Sequence, residues 1–377
     1  TYKYYKIMAI KRILHIIGKM DRAGAETMVM NLYRTIDRSQ FQFDFVVFSD
    51  EKGDYDEEII LLGGKIYMIA ESNPIKRMVA LKKLLLVNPE YQIVHCHTLF
   101  SNAFHLWAAK LANVPYRIAH SHNTSDQSKS KLVSTVYQNL SRKLIKKYAT
   151  SYIGCGAAAA KFLFPQQKEV LFLPNAVDTN YFSQIGAIDK NYINNKFNTT
   201  NDCLKIIQVG RLQSVKNHIF SIKIVKELKR KGINFKLLFV GDGDLLSLIR
   251  ETIEKENLNN QLLLLGVRDD IPQLMAGADV MLMPSLYEGF PVVLVESQSV
   301  GLPALISDTI SPEVDLDVNL IEFESLDSNI TDWTEKLISL KTTEKINNQL
   351  RLQKLAEQGF DIHSSAKLLT NLYNSMN

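Results

Sequence analysis

The stretch Ser285-Leu-Tyr-Glu-Gly-Phe-Pro-Val-Val-Leu-Val-Glu296 decides the fold of the second half of this chain. It follows the apolar run Asp279-Val-Met-Leu-Met-Pro284, which predicts a buried parallel strand. Gly289 lets the backbone pass close to a ligand, and Pro291 suits the first turn of a helix. Free N–H groups at a helix start favour an anion. The stretch therefore predicts a strand, a turn and a helix that begins beside a ligand.

Two carboxylates accompany this turn. Glu288 and Glu296 are eight residues apart, slightly over two turns if the segment were helical throughout. They are therefore candidates to contact two ends of one ligand. Two glutamates around a strand-to-helix turn are also common where nothing binds, so the ends of the neighbouring strands must decide between the two interpretations.

The composition is that of a globular protein. The chain has 377 residues, 46% hydrophobic and 22% charged, which is too long for one ordinary core and predicts two domains. Cys96, Cys155 and Cys203 lie in or beside apolar runs without metal-like spacing, which indicates a reducing compartment. We find no transmembrane stretch and no signal peptide, so we expect a cytoplasmic protein, with contact to the inner membrane face considered below.

Short apolar runs alternate with helical patterns along both halves of the chain. This alternation predicts right-handed βαβ units and two doubly wound, Rossmann-like α/β domains facing a cleft, where a ligand is expected. We place the domains at 1–185 and 205–360, with a polar linker at 186–204 and a C-terminal helix at 361–377 that packs back toward the first domain. Met8-Ala-Ile-Lys-Arg12 resembles a natural start, so residues 1–7 are expected to be a remnant that does not belong to the natural chain.

Predicted strand ends in the second half carry a coherent set of groups. Gly210 and Arg211 end one strand, and Lys216 follows; such cations suit a diphosphate, although two surface cations alone would mean little. Gly241 ends the next strand and gives a ligand close access to backbone. Backbone around Val267 and Arg268, after a third strand, is available to a flat ring. Together with two carboxylates, this inventory fits a nucleotide diphosphate sugar.

These motifs resemble the donor site of glycosyltransferase family 4, whose members are retaining, metal-independent enzymes of the GT-B fold. The resemblance rests on Arg211-x4-Lys216, Gly241-Asp-Gly243, the Pro284–Pro291 signature and the spacing of Glu288 and Glu296. It implies that Arg211 and Lys216 bind the diphosphate and stabilise the leaving group. It further implies that Glu296 accepts from the ribose hydroxyls and that Glu288 contacts the transferred sugar.

The resemblance extends to further residues of both domains. It implies that backbone of the second domain holds donor sugar and phosphate at Gly289, Phe290, Pro291 and Val292. In the first domain it implies a loop entering the cleft, with Gly18 and Gly24. It also implies a catalytic histidine after a first-domain strand, and both His120 and His122 fit because strand alternation puts them on one face. His95 and His97 repeat the pattern one strand earlier, but no third type of ligand is evident, so we expect no metal and no cofactor.

The acceptor side is less defined. Residues 1–200 hold 26 Lys/Arg and 16 Asp/Glu, a balance of +10, and basic and apolar residues share helical spacing in 75–86 and 132–147. Such helices can lie on anionic lipid, or simply cover a sheet with a solvated face. Contact with a membrane would make the acceptor lipid-linked. The resemblance to bacterial capsular and exopolysaccharide glycosyltransferases of the family implies a saccharide carried on a polyprenyl diphosphate, in surface polysaccharide assembly. The resemblance to glycosyltransferase family 4 favours UDP over GDP as the donor nucleotide.

Other interpretations of the same residues remain. A nucleotide-sugar 2-epimerase of the same fold would need a base and an acid but no acceptor. A non-catalytic sugar-nucleotide binding subunit would not need an intact set of Arg211, Lys216, Glu288 and Glu296. Nucleic-acid binding is disfavoured because the basic helices lack interleaved stacking aromatics.

Overall fold

The computed structural model describes residues 10–122, 131–343 and 346–376, with backbone alone for 131–134. The expected remnant at 1–7 lies outside these residues. The chain forms two compact units, one of residues 1–176 with 362–377 and one of residues 177–361. Each unit is described by itself below.

The first unit is a seven-stranded parallel sheet with helices between most strands. Its strands are β1 Lys11–Ile16, β2 Phe41–Val47, β3 Ile66–Met68, β4 Ile93–Cys96, β5 Tyr116–Ser121, β6 Ser151–Gly154 and β7 Leu171–Phe172, in the order β3-β2-β1-β4-β5-β6-β7. Its helices are α1 Gly24–Thr35, α2 Asp56–Leu61, α3 Pro74–Val87, α4 Asn102–Leu111, α5 Lys131–Tyr148, α6 Ala157–Leu163 and, from the chain end, α15 Ile362–Ser375. The central strands are apolar because both faces of the sheet are covered.

The second unit is a six-stranded parallel sheet. Its strands are β8 Leu204–Val209, β9 Phe235–Val240, β10 Leu262–Leu264, β11 Val280–Met283, β12 Ala304–Ser307 and β13 Ile321–Glu324, in the order β10-β9-β8-β11-β12-β13. Its helices are α7 Thr179–Ile188, α8 Tyr192–Phe197, α9 His218–Arg230, α10 Leu246–Lys255, α11 Ile271–Gly277, α12 Val292–Val300, α13 Ile330–Leu340 and α14 Asn348–Glu357. Two parallel α/β sheets confirm the predicted fold class.

The stretch that opens the sequence analysis folds as predicted. All four residues of β11 are buried between β8 and β12. Pro291 occupies the N-cap of α12, and Gly301 ends this helix in the left-handed region, with φ +88°. Helix α12 buries most of its residues, including the polar Ser297, Gln298 and Ser299.

The C-terminal helix α15 belongs to the first unit. Leu369 and Tyr373 are completely buried in the core that also contains Ile13 and Phe43. Lys11 Nζ donates to the carbonyl oxygens of Tyr373 and Met376, both at 2.8 Å. These contacts confirm the prediction that the final helix packs back on the first domain.

The division between the units differs from the boundaries expected from sequence. It falls between Ala176 and Val177, before the predicted boundary at 185, and the chain returns to the first unit at Ile362. The expected linker at 186–204 contains the end of α7, all of α8 and the first residue of β8. Its polar composition suggested a connection, but buried Ile193 packs into the core of the second unit, which makes the segment part of that unit.

Within the described residues, no helix combines the length with the apolar character required to cross a bilayer.

The packing of α15 generates a stability prediction. Leu369→Ala removes a side chain with 0% exposure, and we expect it to lower the free energy of unfolding by about 2–5 kcal/mol in a denaturant titration. Leu368→Ala, on the same helix with 38% exposure, is the matched control and should cost well under half as much. Equal effects of the two substitutions would contradict the packing of this helix.

Candidate donor site and histidine cluster

Three strand ends meet closely in the second unit. Gly210 and Gly241 have φ values of +151° and +138°, which L side chains rarely adopt. A Cβ atom at position 241 would lie 2.1 Å from the carbonyl oxygen of Gly210. The Gly241 N–H donates to the Gly266 carbonyl at 2.8 Å. The ends of β8, β9 and β10 are therefore adjacent, as the predicted site requires.

An ion pair joins two of the predicted site residues. Lys216 Nζ lies 2.6 Å from Glu288 Oε1, with side-chain exposures of 19% and 11%. The same oxygen accepts from Ser285 Oγ at 2.7 Å. The Leu286 N–H donates to the Val215 carbonyl at 2.8 Å, so the backbone also joins the two loops. Glu288 is thus held by two donors beside the end of β8.

Ser285 was quoted in the sequence analysis but given no role. Its hydroxyl orients Glu288. Its backbone carbonyl accepts hydrogen bonds from Ser307 Oγ at 2.5 Å and from Thr309 Oγ1 at 2.8 Å. Asn217 Nδ2 donates to the neighbouring carbonyl of Pro284 at 3.0 Å. The sequence signal for a role of Ser285 was its position directly after a buried strand and three residues before Glu288. Its partners at the end of β12 and just after it, Ser307 and Thr309, could not be identified from sequence.

Arg211 differs from Lys216 in having no protein partner. Its side chain is exposed, and among the described residues it makes no hydrogen bond or ion pair. It directly follows Gly210, against whose Cα the Lys216 side chain packs. A free guanidinium and a paired ammonium therefore follow the same strand, and both can attract a polyanion.

The N-terminus of α12 is the next part of the site. A Cβ atom at Gly289 would meet nothing within 4 Å, so this backbone is open. Pro291 provides no side-chain cap, and α12 starts at Val292. The first N–H groups of a helix have no partner inside it, so they are available to an anion. Phe290 is stacked on Phe360, with ring centroids 5.4 Å apart, which fixes this turn.

Glu296 lies on α12 as a half-buried carboxyl. Within the described part of the chain it has no hydrogen-bond or ion-pair partner. Burial raises the pKa of Glu296 to about 7. A carboxylate that is partly removed from water and unpaired is costly, so it favours a ligand that donates hydrogen bonds to it.

The backbone after β10 is exposed at Val267, which has 63% exposure. The Arg268 guanidinium is committed to Asp270, with two hydrogen bonds of 2.7 Å. Asp270 holds the N-cap position of α11 but makes no capping hydrogen bond. Its carboxylate instead binds Arg268, Lys196 and Tyr192, which keep its pKa below the usual range.

The remaining predicted residues belong to the first unit. Gly18 follows β1 and accepts from the Phe48 N–H at 2.8 Å. Gly24 is the first residue of α1. A Cβ atom at either position would meet nothing within 4 Å, so both backbones are open.

His120 and His122 are part of a cluster of five histidines at the ends of β1, β4 and β5. His95 Nε2 lies 3.2 Å from His120 Nδ1, and the other nitrogen of His95 lies 2.8 Å from the hydroxyl of Tyr373. A second chain runs from His15 Nδ1 to His97 Nε2 at 3.0 Å, and from His97 Nδ1 to His122 Nε2 at 2.8 Å. Strand pairing places His15 directly beside His95.

The two candidate histidines differ in access. His120 is 1% exposed, whereas His122 is half-buried, so His122 is the more accessible of the pair. Burial, together with the neighbouring imidazoles, lowers the pKa of His120 well below its usual value, and burial lowers the pKa of His122 to about 4. Both rings are therefore neutral at pH 7.

Neutral imidazoles are also metal ligands. The cluster therefore offers groups that could hold a metal ion, although we expected no metal. His15, His95 and His97, and separately His97, His120 and His122, have ligand nitrogens within 4.8 Å of one another. Sequence reasoning noticed four of these histidines but missed His15 and Tyr373. The position of His15 in the first strand was a signal that it could join the cluster. No feature of the sequence indicated that Tyr373, on the last helix, would do so.

Comparison with known families agrees with this geometry. The family described as glycosyl transferases group 1 matches residues 189–354, and the one described as Glycosyltransferase Family 4 matches residues 22–181. The two matches correspond to the second and first units.

Relatives of known name extend over the whole chain. The putative glycosyltransferase EpsF of Bacillus subtilis is 39% identical over 372 residues, covering 97% of this chain and 96% of that protein. An Escherichia coli protein, UDP-Gal:alpha-D-GlcNAc-diphosphoundecaprenol alpha-1,3-galactosyltransferase, is 29% identical over 76% of this chain and 79% of its own length.

A solved structure shows the same fold. HepE of Anabaena, crystallised in complex with UDP, superposes with a TM-score of 0.77 at 17% identity, covering 97% of this chain and all of that one. With two parallel α/β units, a donor-type constellation in the second and full-length similarity to EpsF, this chain belongs to the family 4, group 1 glycosyltransferases.

Proposed function

We propose that this glycosyltransferase moves a sugar from a UDP-sugar to a lipid-linked saccharide with retention of anomeric configuration. The observation that carries the donor assignment is the partially buried, unpartnered carboxyl of Glu296, in the unit that also presents the free Arg211. Ribose hydroxyls supply the donors that Glu296 lacks, and a diphosphate supplies the anion that Arg211 lacks.

The proposed chemistry relies on charge stabilisation. Arg211, Lys216 and the N-terminus of α12 would stabilise the negative charge that develops on the diphosphate as the bond to the sugar breaks. The acceptor hydroxyl would attack from the face that the diphosphate leaves, and the departing phosphate oxygen would take its proton. Fixed cations take over the role that a metal has in other transferases, so we propose transfer without a metal at the diphosphate.

Glu288 is proposed to contact the transferred sugar. A double displacement would require it as a nucleophile. Its Oε1 is engaged by Lys216 and Ser285, an arrangement that holds a carboxylate in place and reduces its nucleophilicity. We therefore propose that Glu288 orients the sugar and Lys216 rather than forming a covalent intermediate.

The identities of donor nucleotide and acceptor rest on the relatives. UDP is bound by HepE, and the E. coli relative is named for a diphosphoundecaprenol acceptor. We propose the same classes here, in surface polysaccharide assembly, as a hexosyl or N-acetylhexosaminyl transfer. A panel of UDP- and GDP-sugars with a polyprenyl-diphosphate saccharide, in EDTA, should give product with retained configuration by NMR. Epimerised donor without acceptor, or inverted product, would contradict the proposal.

A lipid-linked acceptor agrees with the exposed face of α5. Val136 and Leu140 are exposed, and Lys143, Lys146 and Lys147 are exposed farther along the helix. Residues 132–134 of the predicted basic segment 132–147 are described by their backbone alone. Exposed apolar and basic groups on one helix suit the surface of an anionic membrane, so we propose peripheral attachment there at its cytoplasmic face.

Arg211 provides the clearest test of the donor site. Arg211→Ala should weaken binding of UDP about tenfold or more by calorimetry and lower turnover about 10²–10³-fold, because a leaving-group cation is lost. Because this side chain has no partner among the described residues, the free energy of unfolding should not change. Arg250→Ala, an exposed arginine of α10, is the control and should have neither effect. Full turnover in Arg211→Ala would refute the assignment.

Glu296 generates a pH prediction. With a pKa of about 7, its carboxyl is ionised at pH 8 and mostly protonated at pH 6. Binding of a UDP-sugar, whose diester-like phosphates do not titrate here, should weaken up to about tenfold between pH 8 and pH 6. Glu296→Gln should remove this dependence, whereas Glu313→Gln at an exposed position should keep it. The same slope in wild type and Glu296→Gln would exclude Glu296 as its origin.

The same raised pKa predicts an effect on stability. The folded protein keeps the Glu296 proton while the unfolded chain releases it, so this group lowers the free energy of unfolding as pH rises from about 4.5 to 7. Glu296→Gln should therefore be more stable than wild type by about 2–3 kcal/mol at pH 8 and by little at pH 4.5. Denaturant titrations at the two pH values measure the difference; a constant difference would contradict the raised pKa.

Membrane attachment is tested by co-sedimentation with anionic phospholipid vesicles at low salt. The wild type should sediment, and the Lys143→Glu/Lys147→Glu double variant should lose most of this binding, since each basic residue near the surface contributes about 1 kcal/mol. Lys255→Glu on α10 is the charge control. Wild type left wholly in the supernatant would refute the attachment.

A further inference from the structure

Tyr373 heads a chain of hydrogen bonds that ends at His120. Its hydroxyl lies 2.8 Å from His95 Nδ1, and His95 Nε2 lies 3.2 Å from His120 Nδ1. The two histidines come from β4 and β5, whereas Tyr373 comes from the C-terminal helix α15. All three side chains are 1% exposed or less, so water does not compete for these bonds.

The direction of this chain follows from the hydroxyl. Among the described residues, the Tyr373 hydroxyl has His95 as its single hydrogen-bond partner. If His95 Nδ1–H donated to the phenolic oxygen, the hydroxyl proton would be buried without an acceptor, which costs about 1–3 kcal/mol. Burial also raises the pKa of Tyr373 well above its ordinary value, so the hydroxyl keeps its proton. The hydroxyl therefore donates to His95 Nδ1.

The tautomers of both histidines are then determined. A neutral imidazole has one N–H, so His95 carries its proton on Nε2 and donates it to His120 Nδ1. His120 must in turn carry its proton on Nε2. We infer that Tyr373 is a positioning residue that fixes the tautomers of His95 and His120 and makes His120 a hydrogen-bond donor through Nε2.

The end of the chain is ready for a ligand. His120 Nε2 is buried and has no partner within the described residues. A buried N–H without an acceptor is rare in folded proteins and indicates a missing oxygen, from a sugar, a phosphate or water. The assignment of this oxygen to a substrate rests on the proposed function; the tautomers do not. As a donor, His120 would bind a hydroxyl or phosphate oxygen of the substrate and would not act as a base.

The tautomers of the second histidine chain, from His15 through His97 to His122, are not fixed in this way. Among the described residues, His15 Nε2 and His122 Nδ1, at its two ends, are both buried without a partner. Within the same part of the chain, no hydroxyl determines the direction of the hydrogen bonds through His97. The two chains touch at His120 and His122, whose ring centroids are 4.0 Å apart. The half-buried His122 can therefore take either tautomer, whereas its neighbour His120 has a single fixed tautomer.

The tautomers can be read directly from long-range ¹⁵N–¹H correlation spectra of protein labelled in its histidine nitrogens. We expect Nε2–H tautomers for His95 and His120 in the wild type, and a mixture of tautomers in Tyr373→Phe. Tyr67→Phe, which removes a different hydroxyl hydrogen bond of the first unit, to Tyr91 at 3.0 Å, should leave the histidine signals unchanged. An Nδ1–H tautomer of His120 in the wild type would overturn the inference, even if Tyr373→Phe fails to fold.

Turnover and metal addition complete the test. Tyr373→Phe should lower kcat about fivefold, as expected for one misdirected hydrogen bond, and Tyr67→Phe should not. A tautomer change with unchanged kcat would overturn the link between His120 and transfer, whereas a wild type without transferase activity would overturn the proposed function instead. If Co²⁺ develops coordination bands and shifts the His97, His120 and His122 signals, these histidines form a metal site, and the inference is wrong.

Discussion

The close approach of Gly241 to the carbonyl of Gly210 is the constraint on which the second unit depends. No Cβ atom fits at position 241, because it would lie 2.1 Å from that oxygen. With no side chain between them, β8 and β9 end together, and Gly241 also bonds to Gly266 at the end of β10. Parallel strands leave their carboxyl ends at one edge, and a ligand is expected at that edge. The glycines keep this edge free of side chains.

The polar groups at this edge fall into two classes. Lys216 and Glu288 satisfy each other at 2.6 Å and are fixed by Ser285, so their geometry exists before any ligand arrives. Arg211 and Glu296 have no partners in the described structure, and burial already raises the pKa of Glu296 to about 7. Paired groups give the site its shape, whereas unpaired groups gain most from a ligand. This separation agrees with catalysis by preorganised charge.

The first unit poses a different physical problem, because four buried imidazoles and the half-buried one of His122 lie together without a charged partner among the described residues. Desolvation and mutual repulsion keep them neutral, so their chemistry depends on where each single proton lies. A tyrosine hydroxyl settles that question for His95 and His120. The C-terminal helix thus contributes to the histidine cluster as well as to the core, where Leu369 and Tyr373 are completely buried.

The sequence by itself determined the two-sheet α/β architecture, because apolar runs and helical periods alternate regularly, and it identified the strand-end residues from Gly210 to Glu296, because glycines, cations and carboxylates directly follow those runs. The resemblance to a family added roles that spacing alone does not give. The tertiary structure decided the pairing of Lys216 with Glu288, the isolation of Arg211 and Glu296, and the unit boundary at Ala176. It also decided the contact of Tyr373 with His95, across 278 residues of sequence. Such contacts depend on strand order and on helix packing between distant segments. Local sequence patterns therefore do not predict them.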